Sequence, residues 1–292
     1  MKIDLYSLNI LATVVREGSF GQAATVLNTT QSAVSYQIRK LEERLGIPLF
    51  DRSLHRATLT SAGEIVLEEG RRLLESARQI EVLTERFADG WEPNLKVIVD
   101  GILPIEPILK ALKVMAEENI PTRIQVKVEF LGGVQYRFVK EHADIMLVKD
   151  YQPDPSLNEH QLEEMESILV AAREHPLSSM KQASLDDLHH YVELTVHDSS
   201  EQYVPGGDRM MFGGERIFYM SDFNSKKQAL LMGLGFGWMP SFLVEKEMKE
   251  KSLIEVAYRG GSRHRFRPSL IHRAGNSLGK GGRRFRELII GK

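Results

Sequence analysis

The 292-residue sequence contains no cysteine. Disulfides, thiolate–zinc centres and cysteine nucleophiles are therefore excluded, and a reducing cytoplasm is the expected compartment. No uninterrupted run of about 18 apolar residues occurs, so no transmembrane helix is expected. No apolar segment with a small-residue cleavage site follows Met1, so no signal peptide is expected either. An excess of positive charge is also missing: 38 Lys and Arg face 40 Asp and Glu, for a formal net charge of −2. Any contact with nucleic acid must come from a local basic surface. Catalytic signatures are absent too. There is no G-x-S-x-G elbow and no H-E-x-x-H, and His189-His190 reads as a surface pair. Gly275 to Gly281 has the wrong spacing for a phosphate loop and no Ser or Thr after Lys280. Gly233-x-Gly235-x-Gly237 follows a helix pattern rather than a first strand, so it is no dinucleotide fingerprint. The basic residues Lys280, Arg283, Arg284 and Arg286 read as a solvated helix face. No enzyme activity, cofactor or metal is expected.

What is present is an ordinary globular composition, 42% hydrophobic and 27% charged, over a length that suits more than one domain. Leu5, Leu8, Leu11, Ala12 and Val15 mark one face of a first helix, which Gly18 stops. Ser19 with Gln22 reads as a capping box for a short second helix with Phe20, Ala23, Ala24 and Leu27 inward. Asn28-Thr29-Thr30 is a turn. Thr30 can cap a third helix carrying Val34, Ile38, Leu41 and Leu45, which Gly46 and Pro48 end. Leu49, Phe50 and Leu59 frame a short hairpin with Arg52, His55 and Arg56 at its tip. Ser61 with Glu64 reads as a second capping box. Three short helices followed by such a hairpin make a winged helix-turn-helix over residues 1–60.

The helix over 61–89 is long and free of proline. Val66, Leu73, Ile80 and Phe87 recur every seven residues, with Gly70, Ala77 and Thr84 at the alternate seam positions. That period favours pairing with a second helix; the other reading is a helix lying along its own domain. After the linker Asp89 to Asn94 the pattern changes. Strands are expected at Leu95–Val99, at Ile124 to Phe130 and at Ile145–Val148, with a helix opened by Pro104 and another after Gly132-Gly133. Further strands are expected at Ile168–Ala172, Tyr191–Val196 and Ile217–Met220, near Leu253–Ala257 and at Ser269–His272. Asp222 caps a helix that runs to Met232, and a closing helix lies near Arg283–Ile290. This alternation implies parallel sheets in two α/β halves, 95–165 with 270–292 and 166–269, with a ligand cleft between them. Asp198 to Gly214 is long for a loop.

With Val34, Ile38 and Leu41 inward, the third helix shows Gln31, Ser32, Ser35, Tyr36 and Arg39 outward, with no acid before Glu42. Amides, hydroxyls and guanidinium groups are what major-groove base edges accept, and the start of the helix enters the groove first. The helix starts at Ser19 and Thr30 can meet phosphates, and Arg52 and Arg56 suit phosphate or minor groove. A helical protein-interaction module with a polar face is the other reading of this pattern.

Several stretches carry a longer resemblance. They are Ser19-Phe20-Gly21-Gln22-Ala23-Ala24, Thr30-Gln31-Ser32-Ala33-Val34-Ser35-Tyr36-Gln37-Ile38, Leu41-Glu42, Leu45-Gly46, Leu49-Phe50-Asp51-Arg52 and Leu59-Thr60-Ser61-Ala62-Gly63. Together they resemble, collinearly over residues 4 to 64, the N-terminal signature of LysR-type bacterial transcriptional regulators. Farther on the likeness rests on Ala143-Asp144-Ile145, His175-Pro176-Leu177 and Gly233 to Gly237 before Pro240. The resemblance implies an all-α winged helix-turn-helix with a linker helix, joined to a bilobed α/β periplasmic-binding-protein-like domain over 90–292. It further implies a sequence-specific regulator of promoter DNA, controlled by a small-molecule effector and acting through RNA polymerase. Dimerisation through the linker helix, a homotetramer and a cytoplasmic, nucleoid-associated location follow from it as well. The cleft positions it implies are Asp100, Gly101, Ile102, Leu103, Gly132, Gly133, Thr195, His197, Ser221, Asp222 and Phe223. Many family members carry Ser or Thr in the first of these loops, where this chain has Gly101-Ile102-Leu103. That departure points toward an uncharged or partly apolar effector, or toward an anion held by backbone amides alone. Lys149 and His197 are the nearest side chains for an anion, and each also reads as an ordinary solvated or hydrogen-bonded residue. A ligand-binding protein whose helix-turn-helix only oligomerises, and an enzyme fused to a DNA-binding module, are the competing functions.

Overall fold

The computed structural model describes residues 3–51, 58–200, 210–275 and 278–291. The chain forms two units, residues 1–88 and 89–292.

In the first unit, α1 (Leu5–Glu17) starts where the Asp4 carboxylate accepts the Ser7 N–H at 2.8 Å, and ends at Gly18 with φ of 71°. α2 (Phe20–Val26) is capped by the Ser19 hydroxyl, which accepts the Gln22 N–H at 3.1 Å. The expected box is only half formed, because the Gln22 side chain meets the Ser19 hydroxyl instead of its backbone N–H. α3 (Gln31–Leu45) is capped by Thr30 and closed by Gly46 in the left-handed region. Ile10, Leu11, Val14, Ala23, Ala24, Val34, Ile38 and Leu41 form the core. Leu5 is exposed, contrary to the expected stripe. α1 packs against α2 and α3 and also against a fourth helix, so its buried arc is wide and centres on Leu11.

β1 (Phe50–Asp51) and β2 (Thr58–Leu59) pair antiparallel as the base of a hairpin. Arg52, His55 and Arg56 of its tip lie outside the described residues. α4 (Ser61–Ala88) is capped by Thr60, one residue before the predicted cap: its hydroxyl accepts the Gly63 N–H at 3.0 Å and donates to Pro48 O at 2.8 Å. The cap falls there because the Thr60 N–H donates to Leu49 O, which fixes residue 60 against the hairpin. A Cβ on Gly63 would lie 2.2 Å from the Leu49 carbonyl oxygen, so only glycine fits. Along α4 only Gly63, Leu67 and Gly70 are buried.

The second unit begins with β3 (Asn94–Asp100), α5 (Glu106–Glu117), β4 (Arg123–Glu129), α6 (Gly132–Lys140), β5 (Ile145–Val148) and β6 (Leu157–Gln161). It continues with β7 (Met165–Ala172), α7 (Leu185–His189), β8 (Glu193–Val196), β9 (Ile217–Met220), α8 (Phe223–Leu231) and β10 (Phe236–Pro240). α9 (Ser241–Lys249), β11 (Leu253–Glu255), β12 (Arg263–Phe266), β13 (Ser269–Arg273) and α10 (Lys280–Ile290) complete it. One sheet has the order β4-β3-β5-β13-β6; the other runs β11-β7-β10-β8-β9, with β12 also on β7.

The expected parallel pairs form, β3 with β4 and β5, and β8 with β9 and β10. Both sheets are nonetheless mixed. β7 runs antiparallel to β10, β11 and β12, and β13 runs antiparallel to β5 and β6. The chain crosses from one sheet to the other just before β7 and returns just after β12, and the Leu162 N–H to Pro268 O bond (2.8 Å) ties the two crossings together. β6 was not foreseen, because Leu157-Asn158-Glu159-His160-Gln161 lacks apolar alternation; an edge strand needs little of it. α5 begins two residues after Pro104, with Pro107 in its first turn. α10 begins three residues early because the Glu92 carboxylate accepts the N–H groups of Gly281 and Gly282. Its basic face is not wholly solvated, since Arg284 pairs with Glu118.

Candidate nucleic-acid interface and ligand cleft

The inward row Val34, Ile38, Leu41 fixes the rotation of α3. Gln31, Ser32, Tyr36 and Arg39 are consequently exposed and Ser35 is half-buried. Thr30 is exposed at the start of the helix, with its hydroxyl 3.0 Å from the Ser32 hydroxyl and accepting the Ala33 N–H. Ser19 is half-buried at the start of α2. Sequence reasoning missed two features of this face. The Lys40 ammonium lies 5.8 Å from the Tyr36 ring centroid and adds a cation beside the aromatic. Glu42, the first acid along α3, accepts the N–H groups of Leu49 (2.8 Å) and Phe50 (3.1 Å). Its carboxylate anchors the hairpin, and the outward face carries no carboxylate until the exposed Glu43 near the end of the helix.

On α4, Gly70 packs on Leu8, and a Cβ there would lie 2.9 Å from Leu8 Cδ2. That seam position is used inside its own unit. Leu73, Ile80 and Phe87 remain 51%, 63% and 54% exposed at their seven-residue spacing.

In the second unit a cleft opens at the carboxyl ends of β3 and β8, enclosing about 560 Å³ of space including its solvent-open part. From the first sheet it is lined by Asp100, Ile102, Phe130, Leu131 and Lys149; from the second, by Ser167, Glu193 to Val196, Met210, Phe223, Lys226 and Trp238. Asp100 is fully buried. Its Oδ1 accepts the Ile102 N–H at 3.1 Å and its Oδ2 the Lys149 N–H at 3.2 Å. Burial pushes its pKa up to about 6, against the lowering by those two bonds and by the Lys149 charge. The Lys149 ammonium is matched by Asp150 at 3.0 Å and approaches Met210 Sδ at 3.6 Å.

Of the cleft residues read from the sequence, Asp100, Ile102, Lys149, Thr195 and Phe223 line it. The others fall outside the lining. Gly101 is backed by Phe130, whose ring leaves a Cβ no room, and Leu103 belongs to the core beneath. Gly132 and Gly133 are covered by Asp198 and Ser199: the Gly132 N–H donates to the Asp198 carboxylate at 3.2 Å, and the Ser199 hydroxyl accepts the Phe130 N–H at 2.8 Å. His197 is exposed, edge-on to Tyr219. Ser221 and Asp222 cap α8, where the Ser225 N–H bond to Asp222 lowers that carboxyl's pKa. Residues 201–209 of the long loop lie outside the described residues. Phe130, Leu131, Ser167, Glu193, Met210, Lys226 and Trp238 were not foreseen. The only signals for them were a serine inside an otherwise apolar strand and a lysine on the inward side of a short helix.

Among the described residues no helix is long and apolar enough to cross a membrane, and no cluster of metal-binding side chains occurs. The family model of bacterial regulatory helix-turn-helix proteins, lysR family, matches residues 5–64, and that of the LysR substrate binding domain matches residues 91–291. The chain is 32% identical over 259 residues to the probable HTH-type transcriptional regulator YhaJ of Escherichia coli K12, covering 87% of this chain and 86% of that one. It is 31% identical over 260 residues to the HTH-type transcriptional regulator YeeY of the same organism, covering 87% and 83%. Among solved structures, a Corynebacterium glutamicum OxyR C206 mutant superposes with a TM-score of 0.69 at 20% identity, over 99% of this chain and 92% of that one. The full-length regulator LysG of that organism gives 0.54 at 17% identity, over 99% and 96%. At these identities the structural likenesses bear on the fold alone.

Proposed function

Because the chain belongs to the LysR family of bacterial helix-turn-helix transcription regulators, which bind promoter DNA and small-molecule effectors and are not enzymes, we propose how it divides that work among its parts. Residues 1–60 read the promoter, the helix over 61–89 pairs two copies, and residues 90–292 hold the effector between lobes 95–165 with 270–292 and 166–269. The observation that carries this reading is the outward face of α3, where Gln31, Ser32, Tyr36 and Arg39 stand exposed, with no carboxylate before Glu43 on that face. Gln31, Ser32, Ser35 and Tyr36 reach base edges, while Thr30, Ser19 and Arg39, with Arg52 and Arg56 of the hairpin tip, hold phosphates. Two recognition helices related by a dimer axis read a partly palindromic site. The exposed row Leu73, Ile80, Phe87 supports the pairing, since a second copy of α4 would cover it. Two such dimers form a tetramer in the cytoplasm, on the nucleoid. Effector binding changes the subunit arrangement and through it the contact with RNA polymerase.

The test is a gel shift on the gene's own upstream region. The double variant Gln31→Ala, Ser35→Ala loses specific retention while keeping weak, sequence-independent binding. Retention equal to wild type would overturn the assignment of α3 as the reader.

A further inference from the structure

We propose that Asp198 and Ser199 form a clasp by which the two lobes of the second unit hold each other closed, and that the cleft opens only when this clasp releases. The inference concerns the lobes themselves and holds whatever the cleft binds.

The clasp joins segments that follow strands of different sheets, β8 in the second and β4 in the first. The His197 N–H donates to Met220 O at 2.8 Å, so the segment leaves the second sheet from a fixed point. Two residues on, Ser199 meets Phe130 as a strand neighbour would. Its N–H donates to Phe130 O at 3.3 Å, and its hydroxyl accepts the Phe130 N–H at 2.8 Å. Asp198 reaches the start of α6, where its Oδ2 accepts the Gly132 N–H at 3.2 Å. Its Oδ1 accepts the Ser200 N–H at 2.8 Å, which orients the carboxylate. The partial positive charge of a helix start favours a carboxylate there. Because the partners belong to different lobes, the bonds to Phe130 and Gly132 break when the lobes part.

Two glycines form the socket. A Cβ on Gly133 would lie 1.9 Å from the Ser199 hydroxyl and 2.9 Å from its carbonyl carbon. One on Gly132 would lie 2.9 Å from Asp198 Oδ2. Neither glycine has a positive φ, so the backbone of α6 does not require them. Glycine also weakens a helix relative to alanine, so the pair brings no gain to α6 itself. What the two glycines permit is the close approach of the second lobe.

The closure is also opposed. Leu131, between the two attachment points, is held at φ 53°, ψ −127°, a conformation non-glycine residues rarely adopt. Its side chain lines the cleft. Release of Phe130 and Gly132 lets this residue relax, so strain offsets part of the bonding. The apolar part of the same closure is the Phe130 ring against that of Phe223, with centroids 6.2 Å apart. The bond between Leu162 and Pro268 at the chain crossings is a tie of another kind, since it lies where the lobes are covalently joined and survives their parting. The clasp lies away from that hinge, and bonds balanced against strain give the closure two accessible states.

The experiment is hydrogen exchange of the Trp238 indole N–H, followed by NMR on the full chain. The sequence holds two tryptophans, and Trp91→Phe assigns the signal. Trp238 lines the cleft outside the clasp, and its Nε1 is buried in the closed form. Exchange of a buried N–H measures the population of the open form. The double variant Asp198→Ala, Ser199→Ala should speed exchange about tenfold or more, since a hydrogen bond to a charged group is worth at least that factor. Gly133→Ala, which crowds Ser199 without removing any bonding group, should act in the same direction. Asp198→Asn, which keeps the shape and loses the charge, should give a smaller increase. Circular dichroism identifies the variants that fold, and any one of them decides. Exchange at the wild-type rate in a folded double variant or in folded Gly133→Ala would overturn the proposal. Rapid exchange in the wild-type chain would overturn it too, because the cleft would then stand open at rest.

Discussion

Asp100 is buried at the carboxyl end of β3, and its burial governs its charge. Its carboxyl has a pKa of about 6 in the folded chain, against an ordinary value of 3.8. The folded state therefore binds the proton more tightly than the unfolded state does. The resulting stabilisation is complete below the unfolded pKa and is lost as pH rises through about 6, so ionised Asp100 opposes folding at neutral pH. The full difference is about 3 kcal/mol, since each pKa unit is worth about 1.4 kcal/mol. Other carboxyls, Asp222 among them, titrate in the opposite sense, so the contribution has to be read as a difference. Denaturant melts of wild type and Asp100→Asn should show the variant gaining stability relative to wild type between about pH 4 and about pH 7. A gap that stays constant with pH would contradict the assignment. Asp100 itself was reached from the sequence through the family resemblance, as an implied cleft position. Ser167 and Trp238 were not, because nothing local marks a side chain whose polar atom is buried without a hydrogen-bond partner among the described residues.

At the scale of elements, α4 combines two uses along one helix. Its first turns bury Gly63, Leu67 and Gly70 on the hairpin and α1, where small residues permit close approach. Farther along, Leu73, Ile80 and Phe87 face solvent, while Leu74 and Ala77 are half-buried on the side of α1. Leu73→Glu with Ile80→Glu removes the seam without touching that core, so helix content and monomer folding should persist. If α4 pairs two copies as proposed, sedimentation should show the variant at a lower mass than wild type, since two buried like charges per chain disfavour the paired state. A variant that sediments as wild type would show that the seam is not the interface. The seven-residue period was plain in the sequence. Its assignment of Gly70 to the seam was not correct, because period alone cannot say which of two neighbouring faces the chain's own α1 takes. Helix starts were legible where a side chain caps them: Ser19, Thr30 and Asp222 cap as their chemistry suggests, while the cap of α4 moved to Thr60 once the hairpin fixed that residue's backbone, and the uncapped starts of α5 and α10 fell two and three residues from expectation.

At the scale of the whole molecule, the net charge of −2 means that DNA affinity depends on a local field in the first unit. Binding through phosphate contacts releases counterions, so affinity should fall steeply and linearly on a log–log plot of binding constant against salt. Gel shifts across a salt series measure that slope. The Gln31→Ala, Ser35→Ala variant should keep most of it while losing sequence preference, because base contacts carry specificity and phosphate contacts carry the salt dependence. A salt-independent affinity would argue against phosphate recognition by this face.

By itself the sequence determined the helix-turn-helix and its outward face, the long helix that follows and the alternation of strands and helices. These follow from periodicity and capping, which act over a few residues and leave their mark in order along the chain. Tertiary structure alone decided the strand directions that make both sheets mixed, since a strand's partner and orientation depend on where the chain returns. It also decided which residues face the cleft. Asp198 lies 66 residues from Gly132 yet occupies its N–H, and Ser167 and Trp238 become neighbours through antiparallel pairing of β7 and β10. Burial and hydrogen-bond satisfaction are properties of such distant neighbours, and for that reason the ligand-facing chemistry emerged only with the fold.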